Sequence, residues 1–263
     1  MRFRVLACDY DRTIASQGTV SPATLEALVR VRESGRRLIL VTGRTREQLE
    51  AVIGGAAAVF DRFVLENGAL LLDPATGSER LLCEPVSERL VDELRRRGAG
   101  SLVVGRALVT TDLAHLGQVE RAISDLGLDL HAVVNIDTVM VLPSQISKAS
   151  GARVALAQVG EGPSACVAVG DGENDVVLLE MAGCGVALAN SLPCVAAVAD
   201  LVSPLSNGVG VADLAARLVA DDLAGVLASA TGWASLATPG SRNRVRVVGE
   251  PSPPEHEAVM PPG

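Results

Sequence analysis

Apolar residues in this chain gather into short unbroken runs, and the longest gaps between runs carry apolar positions every three or four residues. The runs Phe3 to Cys8, Leu38 to Val41 and Cys166 to Val169 have the length and continuity of strands buried on both faces. Between the first two, Ser21-Pro22 gives an N-cap with proline in the first turn and Ser34-Gly35 gives a stop, predicting a crossover helix and hence a βαβ unit. A helix from about Thr45 to Ile53 and a strand ending at Leu65 follow, before turns at Asp73-Pro74 and Thr76-Gly77. From about Leu81 to Pro143 the pattern changes. It predicts a charged helix near Ser87–Arg97, a strand near Leu102–Val109, a helix near Gln118–Leu126 and extended stretches around Leu130–Val134 and Val139–Leu142. The fold class expected is therefore α/β, a Rossmann-like parallel sheet core with an inserted small α+β domain. The core takes residues 1–80 and 144–230, the insert 81–143, and a proline-rich tail or linker without periodicity 231–263.

Each long run ends on polar residues. Asp9-Tyr10-Asp11-Arg12-Thr13 follows the first, Thr42-Gly43-Arg44 the second, and Gly170-Asp171-Gly172-Glu173-Asn174-Asp175 the third, with Lys148 between the insert and the last. Parallel strands would gather these groups at one carboxyl edge, where open α/β sheets bind ligands. Carboxylates about 4 Å apart repel by roughly 4 kcal/mol at an effective dielectric of ~20, and a phosphate ester adds further negative charge, so the site calls for a cation. Oxygen-only ligands suit Mg2+, held by one or two carboxylates, substrate phosphate and water. Asp9 can then attack phosphorus to give an aspartyl-phosphate, with Asp11 on the same side of the extended chain as general acid and base. Thr42 and Lys148 would hold phosphoryl oxygens. Asp171 and Asp175, at the start of a predicted helix, would share a face and address one ion, with the helix N–H groups nearby.

These motifs, in this order, resemble those of the haloacid dehalogenase superfamily of phosphatases. Val41-Thr42-Gly43-Arg44, Glu66-Asn67-Gly68-Ala69, Gly185-Val186-Ala187-Leu188-Ala189-Asn190 and Ser206-Asn207-Gly208-Val209-Gly210-Val211 resemble the Cof-type branch, over about residues 1–220. The resemblance implies Asp9 as nucleophile, Asp11 as general acid/base, and Thr42, Gly43, Lys148 and Asn174 on phosphate. It also implies Mg2+ held by Asp9, the main-chain carbonyl of Asp11 and Asp171, with Asp175 bound directly, through water, or one step behind. Arg12, Arg44 and Asn67 match substrate-side positions, and the insert matches a class IIB cap. The family usually has Gly where Arg12 stands; the expectation is that Arg12 points to solvent or braces its loop.

The rest of the composition narrows partners. A formal net charge of −8 disfavours nucleic acid or an anionic membrane. Five cysteines without a Cys-x-x-Cys read as free thiols, and no signal peptide or membrane-length apolar run is recognised, which makes a reducing cytoplasm the expected setting. His115, His131 and Arg95-Arg96-Arg97 in the insert read as structural. The function expected is hydrolysis of a small phosphorylated metabolite, a sugar phosphate or phosphoglycolate-like ester. The alternatives are a low-turnover phosphate-binding module tethered through the tail to another domain, and a phosphomutase-like phosphotransferase.

Overall fold

A computed structural model of the chain describes residues 1–225 together with the backbone of Ala234–Ser235. The strand β1 (Val5–Cys8) leads into a small hairpin, β2 (Ala15–Ser16) and β3 (Thr19–Val20), before helix α1 (Pro22–Glu33). Then come β4 (Arg37–Val41), α2 (Arg46–Ile53), β5 (Arg62–Leu65), β6 (Leu70–Leu72) and β7 (Glu79–Leu81). The inserted module holds α3 (Glu88–Arg96), β8 (Val103–Val104), β9 (Val109–Asp112), α4 (Leu116–Leu126), β10 (Leu130–Asn135) and β11 (Thr138–Pro143). The chain returns through α5 (Lys148–Gln158), β12 (Cys166–Gly170), α6 (Val176–Met181), β13 (Cys184–Ala187), α7 (Pro193–Val198), β14 (Leu201–Val202) and α8 (Asn207–Asp221), with β15 (Ala234–Ser235) beyond. Of the tail expected over 231–263, only β15 lies within the described residues; the remainder, the expected end of the last helix near Ala230 and the tethered domain lie outside them.

Nine strands form one sheet in the order β15-β14-β13-β12-β1-β4-β5-β6-β7, parallel from β14 to β5 and antiparallel at both ends. The three runs that end on polar motifs are adjacent, with β1 between β12 and β4. Side-chain alternation explains why those runs are apolar throughout. Leu6 and Cys8 of β1, with Leu38, Leu40, Val167 and Val169 of its neighbours, face Leu28, Val31, Leu214 and Leu218 of α1 and α8. Val5 and Ala7, with Ile39, Val41, Cys166 and Ala168, face Ala152, Ala155 and Leu156 of α5 and Leu178 of α6. Successive connections leave β1 in opposite directions, to β4 through α1 and to β12 after the insert. A crevice therefore opens at its carboxyl end.

Local chemistry sets the helix starts. Ser21 caps α1 by accepting from the Thr24 N–H at 3.1 Å, and Thr45 and Gln48 form a reciprocal capping box on α2. At α5 the Ser147 hydroxyl accepts from the Ser150 N–H, which places Lys148 in the first turn. That turn is seated by a backbone approach. A Cβ on Gly68 would lie 2.0 Å from the Ser147 carbonyl oxygen, and one on Gly151 would lie 2.6 Å from the Gly68 Cα. Gly68 also has φ 112°, a conformation closed to other residues.

The insert is a four-stranded antiparallel sheet, β10-β11-β9-β8, with α3 and α4 on one face. Val139 and Val141 of β11 pack under those helices, while Met140 and Leu142 turn the other way and meet Ala69 of the core. The single strand expected over Leu102–Val109 is instead two, β8 and β9, around a turn. Glu66 provides the reason. Its buried carboxylate accepts from the N–H groups of Arg106 and Ala107, both at 2.8 Å, taking donors that a continuous strand would have paired elsewhere. Burial pushes this carboxyl up, and the Ala107 and Arg106 N–H groups pull it back. Leu81, placed in the insert from sequence, closes the large sheet as the last residue of β7. Cys8, Cys166 and Cys184 are buried free thiols, and Cys194 is exposed.

Two stability measurements test this frame. Gly151→Ala should lower unfolding free energy in urea by about 1–3 kcal/mol, because backbone rather than a flexible side chain must move. Glu66→Ala, which leaves two N–H groups without their acceptor, should cost about 2–3 kcal/mol and raise amide exchange selectively across 103–109.

Candidate active site

At the carboxyl end of β1, Asp9 continues the ladder by donating its N–H to the Val169 carbonyl at 3.0 Å. The residue is 5% exposed, and its Oδ1 accepts from Lys148 Nζ at 2.6 Å. The same ammonium donates to Asp175 Oδ1 at 2.6 Å. Lys148 is thus shared between two carboxylates that arrive from different strands. Burial works against its charge, but Asp175 and Asp9 outweigh that and hold its pKa above the ordinary lysine value.

Asp171 completes the acidic group: Asp9, Asp171 and Asp175 each offer an oxygen, and these lie within 4.8 Å of one another. Asp171 Oδ1 accepts from the Thr13 hydroxyl at 3.2 Å, and its Oδ2 meets Arg12 Nε at 3.0 Å and the Asn190 amide at 3.2 Å. Burial, and then the Asp175 charge, push the Asp171 carboxyl up to about 6. Burial and Asp175 likewise raise Asp9 well above the usual carboxylate range. Three buried carboxylates around one ammonium make a site short of positive charge. An all-oxygen donor set of this kind fits a hard divalent cation.

Asp175 reaches this cluster differently from the helix-face arrangement predicted. It ends a single 3-10 turn, Glu173–Asp175, and its Oδ2 folds back to accept from the N–H groups of Asp171 and Gly172, each at 3.0 Å. Those two N–H groups are therefore spent on Asp175. Both of its oxygens have partners within the protein.

All the sequence candidates but Asn67 surround a cavity of about 350 Å³ over the cluster. Asp9, Asp11, Arg12, Thr42, Gly43, Arg44, Lys148, Asp171, Asn174 and Asp175 all line it. The Asp11 carboxylate stands apart from the acidic group and is held in a two-point pair with Arg44, Nε and Nη2 each 2.7 Å from an oxygen. Arg44 is in turn seated over the Tyr10 ring, 5.5 Å from its centre. Thr42 orients its hydroxyl by accepting from the Arg44 N–H at 3.2 Å. Gly43 lies below the insert, where a Cβ would come 3.0 Å from the Met140 sulfur. Asn67 is not among the lining residues; its Oδ1 accepts from the Asn174 amide at 3.0 Å, so it acts on the cavity through Asn174. Arg12 is not left to solvent. Besides meeting Asp171, it donates from Nη2 to the Asn190 carbonyl at 3.2 Å, and the Asn190 amide returns a bond to the Arg12 carbonyl at 2.9 Å.

Several residues were not singled out from sequence. Thr13 and Asn190 both fell inside quoted motifs, so their positions were visible but their partner, Asp171, was not. Thr110, Asn135, Ile136, Asp137, Thr138 and Met140 line the cavity from the insert, and no motif marks them. His115 packs over Gly100, and neither it nor His131 lines the cavity. Arg95, Arg96 and Arg97 pair with Asp92, Glu93 and Asp125. Among the described residues no helix is long and apolar enough to cross a membrane.

Comparison with known proteins shows what the chain as a whole is similar to. A family model described as haloacid dehalogenase-like hydrolase matches residues 6–97 and 101–214. Phosphoglycolate phosphatase 2 of Saccharolobus solfataricus is 28% identical over 228 residues, covering 82% of this chain and 92% of the relative. Among solved structures, a Thermoplasma acidophilum protein shares the fold with a TM-score of 0.71 at 16% identity, over 81% of this chain and 97% of that one. A haloacid dehalogenase-like hydrolase from Bacteroides thetaiotaomicron does so with a TM-score of 0.68 at 21% identity, over 82% and 99%.

The raised carboxyl of Asp171 gives a direct test of the cation site. A proton on Asp171 competes with a metal, so Mg2+ affinity measured by calorimetry should strengthen as pH rises through about 6 and weaken below it. Equal affinity at pH 5 and pH 7.5 would contradict the assignment.

Proposed function

The chain belongs to the haloacid dehalogenase-like hydrolases, in their Cof-type branch, and from that membership we propose that it is a Mg2+-dependent phosphomonoesterase working through an aspartyl-phosphate on Asp9. The observation that carries the reading is Lys148 bridging Asp9 and Asp175 beside Asp171, at the floor of a cavity that Asp11 and Thr42 also line. Asp9, the Asp11 main-chain carbonyl and Asp171 would hold Mg2+, with Asp175 bracing Lys148 and the loop from behind. Bound there, the ion supplies the positive charge that the carboxylates and an incoming phosphate lack.

In this reading an Asp9 oxygen forms a bond to phosphorus while the bond from phosphorus to the leaving oxygen breaks. Asp11, entering this step as the carboxylic acid once Arg44 has turned to the phosphoryl group, delivers its proton to that oxygen. A water molecule then attacks phosphorus, Asp11 takes its proton, and the bond to Asp9 breaks. The Lys148 ammonium and Thr42 hydroxyl hold the non-bridging oxygens, where charge grows in the transition state. Arg44 keeps Asp11 in place until the phosphoryl group arrives and offers a second donor set. The inserted sheet roofs the cavity, which suits exclusion of bulk water and contact with the leaving group. A small phosphorylated metabolite fits about 350 Å³, and the name of the Saccharolobus relative puts phosphoglycolate among the esters to try.

Phosphate release from an aryl phosphate and a panel of metabolite esters, with and without Mg2+, tests the proposal. Asp9→Asn should abolish metal-dependent release by about 10³-fold or more, and Asp11→Asn should slow it severely while leaving Mg2+ binding in place. Undiminished release by Asp9→Asn would overturn the reading.

A further inference from the structure

Both oxygens of Asp171, the carboxylate assigned to the metal, already have partners. Oδ1 accepts from the Thr13 hydroxyl at 3.2 Å, while Oδ2 accepts from the Asn190 amide at 3.2 Å and meets Arg12 Nε at 3.0 Å. A divalent ion on this carboxylate therefore competes with groups already in place, and the three are held very differently. Thr13 is fully buried. Asn190 is fixed at both ends, its amide donating to the Arg12 carbonyl at 2.9 Å and its Oδ1 accepting from the Asn207 N–H at 2.8 Å. The Arg12 side chain is 44% exposed, lines the cavity, and is otherwise bound only by a 3.2 Å bond to the Asn190 carbonyl. It is also the one charged group of the three, which a divalent ion at the same carboxylate meets as repulsion.

An incoming phosphate meets the opposite shortage. The cations that line the cavity, Arg12, Arg44 and Lys148, are each paired with a carboxylate, so the anion finds no positive group already free. Lys148 is buried between Asp9 and Asp175, and Arg44 grips Asp11 through two nitrogens. Arg12 meets Asp171 through Nε and has the most exposed side chain of the three. It is the cation that an anion recruits at least cost, and a guanidinium that turns toward the anion leaves Asp171 Oδ2 to the metal. The same group thus stands between two ligands, obstructing one and attracting the other.

We infer that Arg12 couples metal binding to phosphate binding: with no anion bound its guanidinium shares Asp171 with Mg2+ and weakens the ion's hold, and an anion in the cavity draws it away and strengthens that hold. Arg12 is a positioning residue, acting on the metal through Asp171. The inference rests on the phosphomonoesterase reading above and adds to it that metal and phosphate bind tightly only together. Coupling between two sites is reciprocal, so Mg2+ strengthens phosphate binding by the same factor. Direct contact between ion and phosphate gives some coupling in any such site; the Arg12 share is the part that substitution removes.

Calorimetric titration of Mg2+ into the full chain at about pH 7.5, where Asp171 is ionised, with and without saturating inorganic phosphate, decides the matter. Arg12→Gly should bind Mg2+ alone about tenfold more tightly than the wild type, and phosphate should improve its Mg2+ affinity by a factor about tenfold smaller than in the wild type. Arg12→Asn, which removes the charge yet tolerates the left-handed backbone, should match Arg12→Gly in both respects. Unchanged or weaker Mg2+ binding in both variants would overturn the inference. So would tightening in Arg12→Gly alone, which assigns the effect to the backbone, or a phosphate effect in the variants equal to that of the wild type. In each of those cases Mg2+ still binds and the phosphomonoesterase reading stands; no Mg2+ binding by any of the three proteins, with or without phosphate, removes both.

Discussion

One buried ammonium group organises the end of the sheet. Lys148 is 1% exposed and accompanied by two carboxylates, and neither the amine nor the acids could be desolvated alone without a cost of several kcal/mol each. Their pairing does little for stability compared with well-packed apolar groups, but it sets position. Because the partners sit after β1 and after β12, while the lysine opens α5, the contact fixes a helix relative to two strands. The Gly68 and Gly151 backbones bring that helix close enough for the contact to form. What the packing of the core provides is therefore a defined place for three charges, and a deficit of positive charge beside them.

Arg12 occupies part of that deficit. It has φ 58°, a left-handed conformation that costs a non-glycine residue roughly 1–2 kcal/mol. The strain accounts for the glycine usual at this position in the resembling family. Here it is offset by the ion pair to Asp171 and the two-way bonds with Asn190. The arrangement places a side-chain cation on the very carboxylate assigned to the metal, so a divalent ion entering the site must share Asp171 with a guanidinium.

Much of the fold was legible because the motifs sit on elements with strong periodic signals. The runs ending at Cys8, Val41 and Val169 are buried on both faces, and continuous hydrophobicity is what such strands look like in sequence. Ser21 and Thr45 mark helix starts through short-range bonds that neighbouring residues encode, whereas the cap that Ser147 puts on α5 was not read from the sequence. The split of Leu102–Val109 into two strands was not legible, because its cause is Glu66, a long-range acceptor. Asp175 lies beside Asp9 and Asp171, but not by the helix face that its spacing suggested: a 3-10 turn and two backbone donors bring it there. The partners of Asp171, and the cavity wall supplied by Asn135, Asp137 and Met140, depend on tertiary contacts that no local pattern records.

The position of β1 has a consequence for how the protein comes into being. Its partners are β4, which follows within one crossover, and β12, which follows only after the whole insert and α5. During synthesis the first strand can pair on one side early, yet its other edge stays bare until residues 166–170 leave the ribosome. An unpaired apolar edge in the middle of a future sheet is a point of attachment for other chains, and on β1 it is β12 that covers that edge. The same order of synthesis means that the cluster of Asp9, Lys148, Asp171 and Asp175 cannot form before the segment that follows β12 is made.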